Sequence, residues 1–235
     1  MGPIPQDLQY HDFADKRKIA GIPNFWDVAS NLPMFFIGLF GLAYSLRTYN
    51  DRDGLVAKSI PILLSIGIFT ACFGSAYYHL APDNQTLVWD RLPMTFMFMP
   101  LFALLVYDFV GRKAGEWIFY IFIPFGVFSV FYWQYSESIG HGDLRPYAFV
   151  QFFPMLILPF IIWLFPKKVS YLSYIFHILG WYILAKIAEH FDHFLYNFTG
   201  FWSGHTIKHL LACVSLYYII KLLMEWKRPQ TSIIK

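Results

Sequence analysis

The chain has 235 residues, of which 57% are hydrophobic, 21% aromatic and only 14% charged, with a net charge of +3. A soluble domain of this size would carry nearly twice that charge, and it would not break into repeated apolar runs of about 20 residues, the length that crosses a bilayer as a helix. The composition excludes an ordinary soluble enzyme and fits a polytopic membrane protein with no nucleic-acid partner.

The first two dozen residues are polar. They contain Asp7, Asp12, Asp15 and the basic run Lys16, Arg17, Lys18, a pattern unlike a cleavable signal peptide. Seven spans are then predicted, at 26–46, 59–80, 88–109, 117–133, 147–165, 171–189 and 203–224. The breaks RTYNDRDG, APDNQT, GRKAGE, QYSESIGHGDLRP, PKKVS and HFDHFLYNFTGFW carry turn residues and charge. No linker is long enough to divide the chain, so residues 1–235 read as one all-α seven-helix membrane domain, with a polar segment at 1–24 and a tail at 225–235.

Basic residues in short loops set the expected orientation. Arg47, Arg52, Lys58, Arg112, Lys113, Lys167, Lys168, Lys227, Arg228 and Lys235 fall on one side, and Lys16, Arg17, Lys18, Arg91 and Arg145 on the other. The N-terminus is therefore expected outside and the C-terminus in the cytoplasm. The N-terminal basic run opposes this assignment, but three aspartates precede it.

Against this apolar background, five polar residues gather at one depth. Ser75 and His79 end the second span in SAYYH, Asp90 opens the third in WDRLP, and His205 and His209 open the seventh in GHTIKH. Ionisable groups are costly in hydrocarbon and mark working sites. Residues four apart on a helix lie about 6 Å apart on one face, so His205 and His209 can share a metal ion, while the short 80–89 connection returns Asp90 to the level of His79. Three neutral imidazoles with an open fourth position are the ligand set of a catalytic zinc.

Other polar residues compete. Glu189 and His193 also have ligand spacing, but with His190 and Asp192 they lie where the sixth span emerges, and a solvated helix end is expected there. Lys186 and Lys208 could contact a lipid headgroup, although snorkelling is the default. His11 and His141 are expected in solvent, and His177 as a buried or interfacial hydrogen-bonding group. Tyr77, Tyr78, Trp89, Trp133, Trp202 and Trp226 are expected in interfacial belts. For Ser75 the alternative to catalysis is a small residue closing a helix contact; for Asp90 it is an ion pair with Arg91.

The SxxxH, Asp and HxxxH elements, with NFWDVASNLP ahead of the first span, resemble the alkaline ceramidase family, part of a seven-span superfamily that includes the progestin and adipoQ receptors. That resemblance implies a zinc amidase that cleaves ceramide, or a related N-acyl lipid, into a free amine lipid and a fatty acid. It makes His79, His205 and His209 the zinc ligands, with Asp90 as proton acceptor for the attacking water and Ser75 beside it assisting the oxyanion. The chain departs from eukaryotic relatives where Asn24 replaces an acidic residue, and Cys72 and Cys213 lie inside spans. It looks most like the prokaryotic branch, which implies a bacterial inner membrane. The alternative is a non-catalytic zinc-containing lipid receptor or scaffold; a metal transporter fits less well, because the ionisable residues do not continue across the membrane.

Overall fold

A computed structural model describes residues 2–226; the basic residues Lys227, Arg228 and Lys235 of the orientation argument lie outside that range. The described chain is a helical bundle. Its helices are α1 (Phe25–Ala29), α2 (Leu32–Arg47), α3 (Leu55–Leu80), α4 (Asn84–Phe109), α5 (Arg112–Ser138), α6 (Arg145–Leu164), α7 (Leu172–His190), α8 (Asp192–Thr199) and α9 (Gly204–Glu225). Six segments are long and apolar enough to cross a membrane: Phe25–Arg47, Leu55–Leu80, Asn84–Phe109, Arg112–Ser138, Arg145–Leu164 and Gly204–Glu225. The protein is thus a multi-pass helical membrane bundle. Helix α7, the expected sixth of seven spans, forms but is less apolar, since it carries Lys186 and Glu189 near one end.

Two expected elements change form. The first span breaks at Ser30–Asn31, where the Ser30 hydroxyl and the Asn31 amide both donate to the carbonyl oxygen of Asp27, so α1 and α2 follow one another with an offset. The connection after α7, read as loop, contains the short helix α8.

Helices α3, α4 and α9 form the centre, with α2, α5, α6 and α7 packed around them. Close approach of α3 and α4 has a local cause. Pro93 removes the donor that the carbonyl of Trp89 would otherwise meet, and that oxygen leans against Gly74, where a Cβ would overlap it. Seven residues inward the arrangement recurs, with Gly67 against Phe96 and Pro100 one turn beyond. At the other end of the pair, Asp83 caps α4 by accepting from the backbone N–H of Thr86, whose hydroxyl accepts from the Asp83 N–H.

The larger part of the bundle is a continuous apolar core that includes Ile60, Leu64, Leu104, Ile175, Leu222 and Leu223. Tyr78 and Trp133, expected in interfacial belts, are instead fully buried in a second cluster with Leu87, Val130 and Tyr147. Tyr77, Trp89 and Trp202 do face outward.

The polar N-terminal segment is folded, not free. It runs as a strap across the end of the bundle that carries His79 and His205. The carbonyl of Ile4 accepts from the N–H of Leu144 at 2.8 Å, the Gln6 N–H donates to Glu137 at 2.6 Å, and the Ala14 N–H donates to Asp192 at 2.9 Å. Arg17 pairs with buried Asp15 at 2.7 Å and donates to the carbonyl of Phe201 at 2.6 Å. His11, expected in solvent, is half-buried between the Tyr78 hydroxyl at 2.8 Å and the Asn84 side chain at 2.9 Å. His141 is exposed, as expected. His177 faces outward and bonds the carbonyl of Ser173 at 2.7 Å while stacking on Tyr218.

Candidate metal centre

The last turn of α3 and the first two turns of α9 bring His79, His205 and His209 together, all buried. Their ring centroids form a near-equilateral triangle with sides of 4.7, 4.8 and 5.0 Å, and one nitrogen from each ring lies within 4.8 Å of the others. This group could hold a metal ion. The Nε2 atoms of His79 and His205 face each other at 3.2 Å, and two lone pairs so placed repel unless a proton or a cation lies between them. Ligands at 2.0–2.1 Å on a tetrahedral ion are themselves about 3.3 Å apart, so this pair already has the needed separation. His79 Nδ1 is buried without a partner.

Each ligand helix is held from behind. The α9 N-terminus starts at Ser203, which caps it by accepting from the Thr206 N–H at 2.9 Å. Two buried carboxylates sit against that terminus. Asp192 accepts from the His205 N–H at 2.8 Å, and Asp27 accepts from the Thr206 hydroxyl at 2.7 Å, both favoured by the positive end of the helix dipole. Gly204 permits the approach, because a Cβ there would overlap the carbonyl of Ala188 on α7. The His209 ring is oriented through Nδ1 by the Ser30 hydroxyl at 2.8 Å, and the backbone of His79 is tied through its carbonyl to the Asn24 amide at 2.8 Å. The ring of Phe13, on the strap, lies 4.7 Å from His79 and 4.3 Å from His205 and closes the outer side.

Ser75 and Asp90 line the same cavity, on either side of the α3–α4 contact that Gly74 allows. Asp90 forms no ion pair with Arg91, which turns the other way to Gln6 at 2.6 Å and lies over the rings of Trp133 and Tyr147 at 4.2 and 4.7 Å.

The second acidic cluster divides, with His190 and His193 exposed at the helix end and Glu189 and Asp192 withdrawn from solvent, and it does not use its ligand spacing. Glu189 is largely buried and is held by both Lys186 and Lys208, the latter at 2.7 Å, so neither lysine snorkels. His193 bonds the carbonyl of Asp12 at 2.9 Å from an exposed position, and His190 is exposed. Lys208 also places its ammonium 3.4 Å from His205 Nε2. Tyr10, from the strap, reaches Glu189 at 3.5 Å, and burial beside that carboxylate pushes its phenol up to about 12, so it stays a donor.

Ser75, Asp90, Glu189, Lys208 and His209 all open on one cavity of about 310 Å³. Its lining continues from Asp90 to Leu105 on α4 and from His209 to Leu222 on α9, a run of roughly 20 Å at the helical rise per residue. Beyond the polar end the walls are dominated by Met, Phe, Leu and Ile side chains. No protein-family model matches the chain, and no curated protein matches it.

Proposed function

We propose that this chain is a zinc-dependent, membrane-embedded amide hydrolase that cleaves the N-acyl bond of ceramide or a related N-acyl lipid to a free amine lipid and a fatty acid. The carrying observation is the shared cavity: His209 of the three-imidazole cluster, the Asp90 carboxylate and the Ser75 hydroxyl line the polar end of a long apolar channel, where the amide of a lipid would lie if its chain filled the rest. A zinc ion held by His79, His205 and His209 would supply Lewis acidity at the carbonyl and an activated water near neutral pH. Asp90 takes a proton from the attacking water and returns it to the leaving nitrogen as the C–N bond breaks. Ser75, on the same cavity wall, can donate its hydroxyl proton to the developing oxyanion. The strap and the apolar walls exclude bulk water from this end.

In the same reading α7 is the sixth of seven spans, because pairing Lys186 with Glu189 inside the bundle leaves an apolar face for lipid. The loop charges favour a metal centre and N-terminus near the outer face and a C-terminus in the cytoplasm, and the resemblance to prokaryotic relatives would make the membrane a bacterial inner membrane. The test is fatty-acid release by the purified protein from ceramide and other N-acyl lipids across neutral to alkaline pH. Tight binding of the whole panel with release from none would replace the hydrolase by a lipid receptor.

A further inference from the structure

The polar end of the cavity is short of negative charge. Its charged lining consists of Lys186, Lys208 and Arg91 against Asp90 and Glu189, three cations to two carboxylates before any metal is counted. Glu189 is taken up by the two lysines, and Asp90 forms no ion pair with Arg91. Arg91 is left over. It is 5% exposed, one guanidinium nitrogen donates to the neutral amide oxygen of Gln6, and Nη1 is buried with no partner at all. Aromatic faces of Trp133, Tyr147 and Tyr10 surround it and offset part of the desolvation of a charge that cannot be released by deprotonation.

A buried guanidinium with an unused N–H beside a lipid-sized channel is a receptor for an anionic oxygen. Consecutive residues on a helix point about 100° apart, so Arg91 and Asp90 line the cavity from different directions, Arg91 on the side of Gln6. We infer that the lipid recognised here carries an anionic group, carboxylate or phosphate, close to its amide, and that Arg91 binds it: an N-acyl amino acid or a phosphorylated N-acyl amine fits better than a neutral ceramide. The inference deepens the hydrolase reading by naming the substrate class, but the site it describes binds whether or not the bond is cut.

The test therefore measures binding by the full-length protein in neutral detergent, using lipids that share one acyl amide. N-oleoylglycine carries a carboxylate, N-oleoylethanolamine a hydroxyl in its place, and N-oleoyl-phosphoethanolamine a phosphate. An anionic form should bind roughly ten- to a hundredfold more tightly than N-oleoylethanolamine, the worth of one charge-assisted hydrogen-bonded contact. Which anion gains more assigns carboxylate or phosphate. Arg91→Gln should bring the constants together, and Arg91→Lys should keep part of the preference. Equal binding of all three lipids by the wild type overturns the inference, and so does a preference that survives in Arg91→Gln; because the wild-type comparison stands alone, a variant that fails to fold does not shelter it. Binding with the expected preference but no cleavage would remove the hydrolase reading alone.

Discussion

Helices α3 and α4 and helices α5 and α6 are all long and apolar by sequence, yet 56% and 61% of the first pair's most apolar stretches are buried inside the bundle, against 22% and 28% for the second. What separates them is not hydropathy but the polar residues they carry. Ser75, His79 and Asp90 lie on the central pair, and α9, which supplies the other two imidazoles, is 44% buried. In a bilayer both lipid and protein accept apolar side chains, so only groups that need partners dictate which helix faces inward. The histidine-bearing end of the bundle is accordingly specified by hydrogen bonds, and the apolar core beyond it largely by shape.

The contrast breaks most completely at the imidazoles. Wild-type protein should carry about one zinc per chain, and the His205→Ala, His209→Ala double variant should carry essentially none. Metal analysis decides it; full occupancy in the double variant would remove the ligand assignment. Next in size is Asp90→Asn, which should retain the metal and lose about 10²-fold or more of N-acyl lipid turnover, with Ser75→Ala milder because the proton acceptor remains. A loss of zinc in Asp90→Asn equal to that in the double variant would make Asp90 a ligand instead of a proton acceptor.

Substituting glycines separates central from peripheral helices by packing alone. Gly74→Ala forces a methyl onto the carbonyl of Trp89 and should cost about 1–3 kcal/mol, lowering the thermal midpoint. Gly180→Ala on α7 meets nothing within 4 Å and should be neutral or stabilising by up to about 1 kcal/mol. Equal effects would mean that the contact at Gly74 does not set the close approach of α3 and α4. The smallest expected effect concerns sidedness: single cysteines at exposed Gln85 and Lys168 should differ in reaction with an impermeant thiol reagent on intact cells, Gln85→Cys reacting and Lys168→Cys protected. The reverse pattern would put the metal centre on the cytoplasmic side.

Much of the central region is legible in the sequence. His79, Asp90, His205 and His209 announce themselves because each is an ionisable residue in an apolar stretch, and helical spacing with a short connection is enough to assemble them. Helix positions are legible for the same reason, within a few residues. What supports the imidazoles is harder to see. Ser30 and Asp27 act across a separation of 179 residues, and only the presence of an aspartate inside the first apolar run hints that one of them has a partner. Phe13 gives no signal, since an aromatic residue in a polar segment has no periodicity to betray its burial. Glu189 misleads because position at a helix end says nothing about the two lysines that neutralise it, one of them on another helix.

The strap gives the centre a history in time. Asp27, Ser30 and Phe13 belong to the earliest part of the chain, and the residues they support, Thr206, His209 and His205, to the last helix. At ordinary elongation rates of about 5–20 residues per second, the start of the chain waits on the order of 10–40 s before its partners emerge. During that interval Asp27 has no helix terminus to rest against and His79 has no second imidazole. A metal ion held by all three imidazoles must therefore await α9, and a chain arrested before that helix emerges offers only His79 of the three, however well its first spans have inserted.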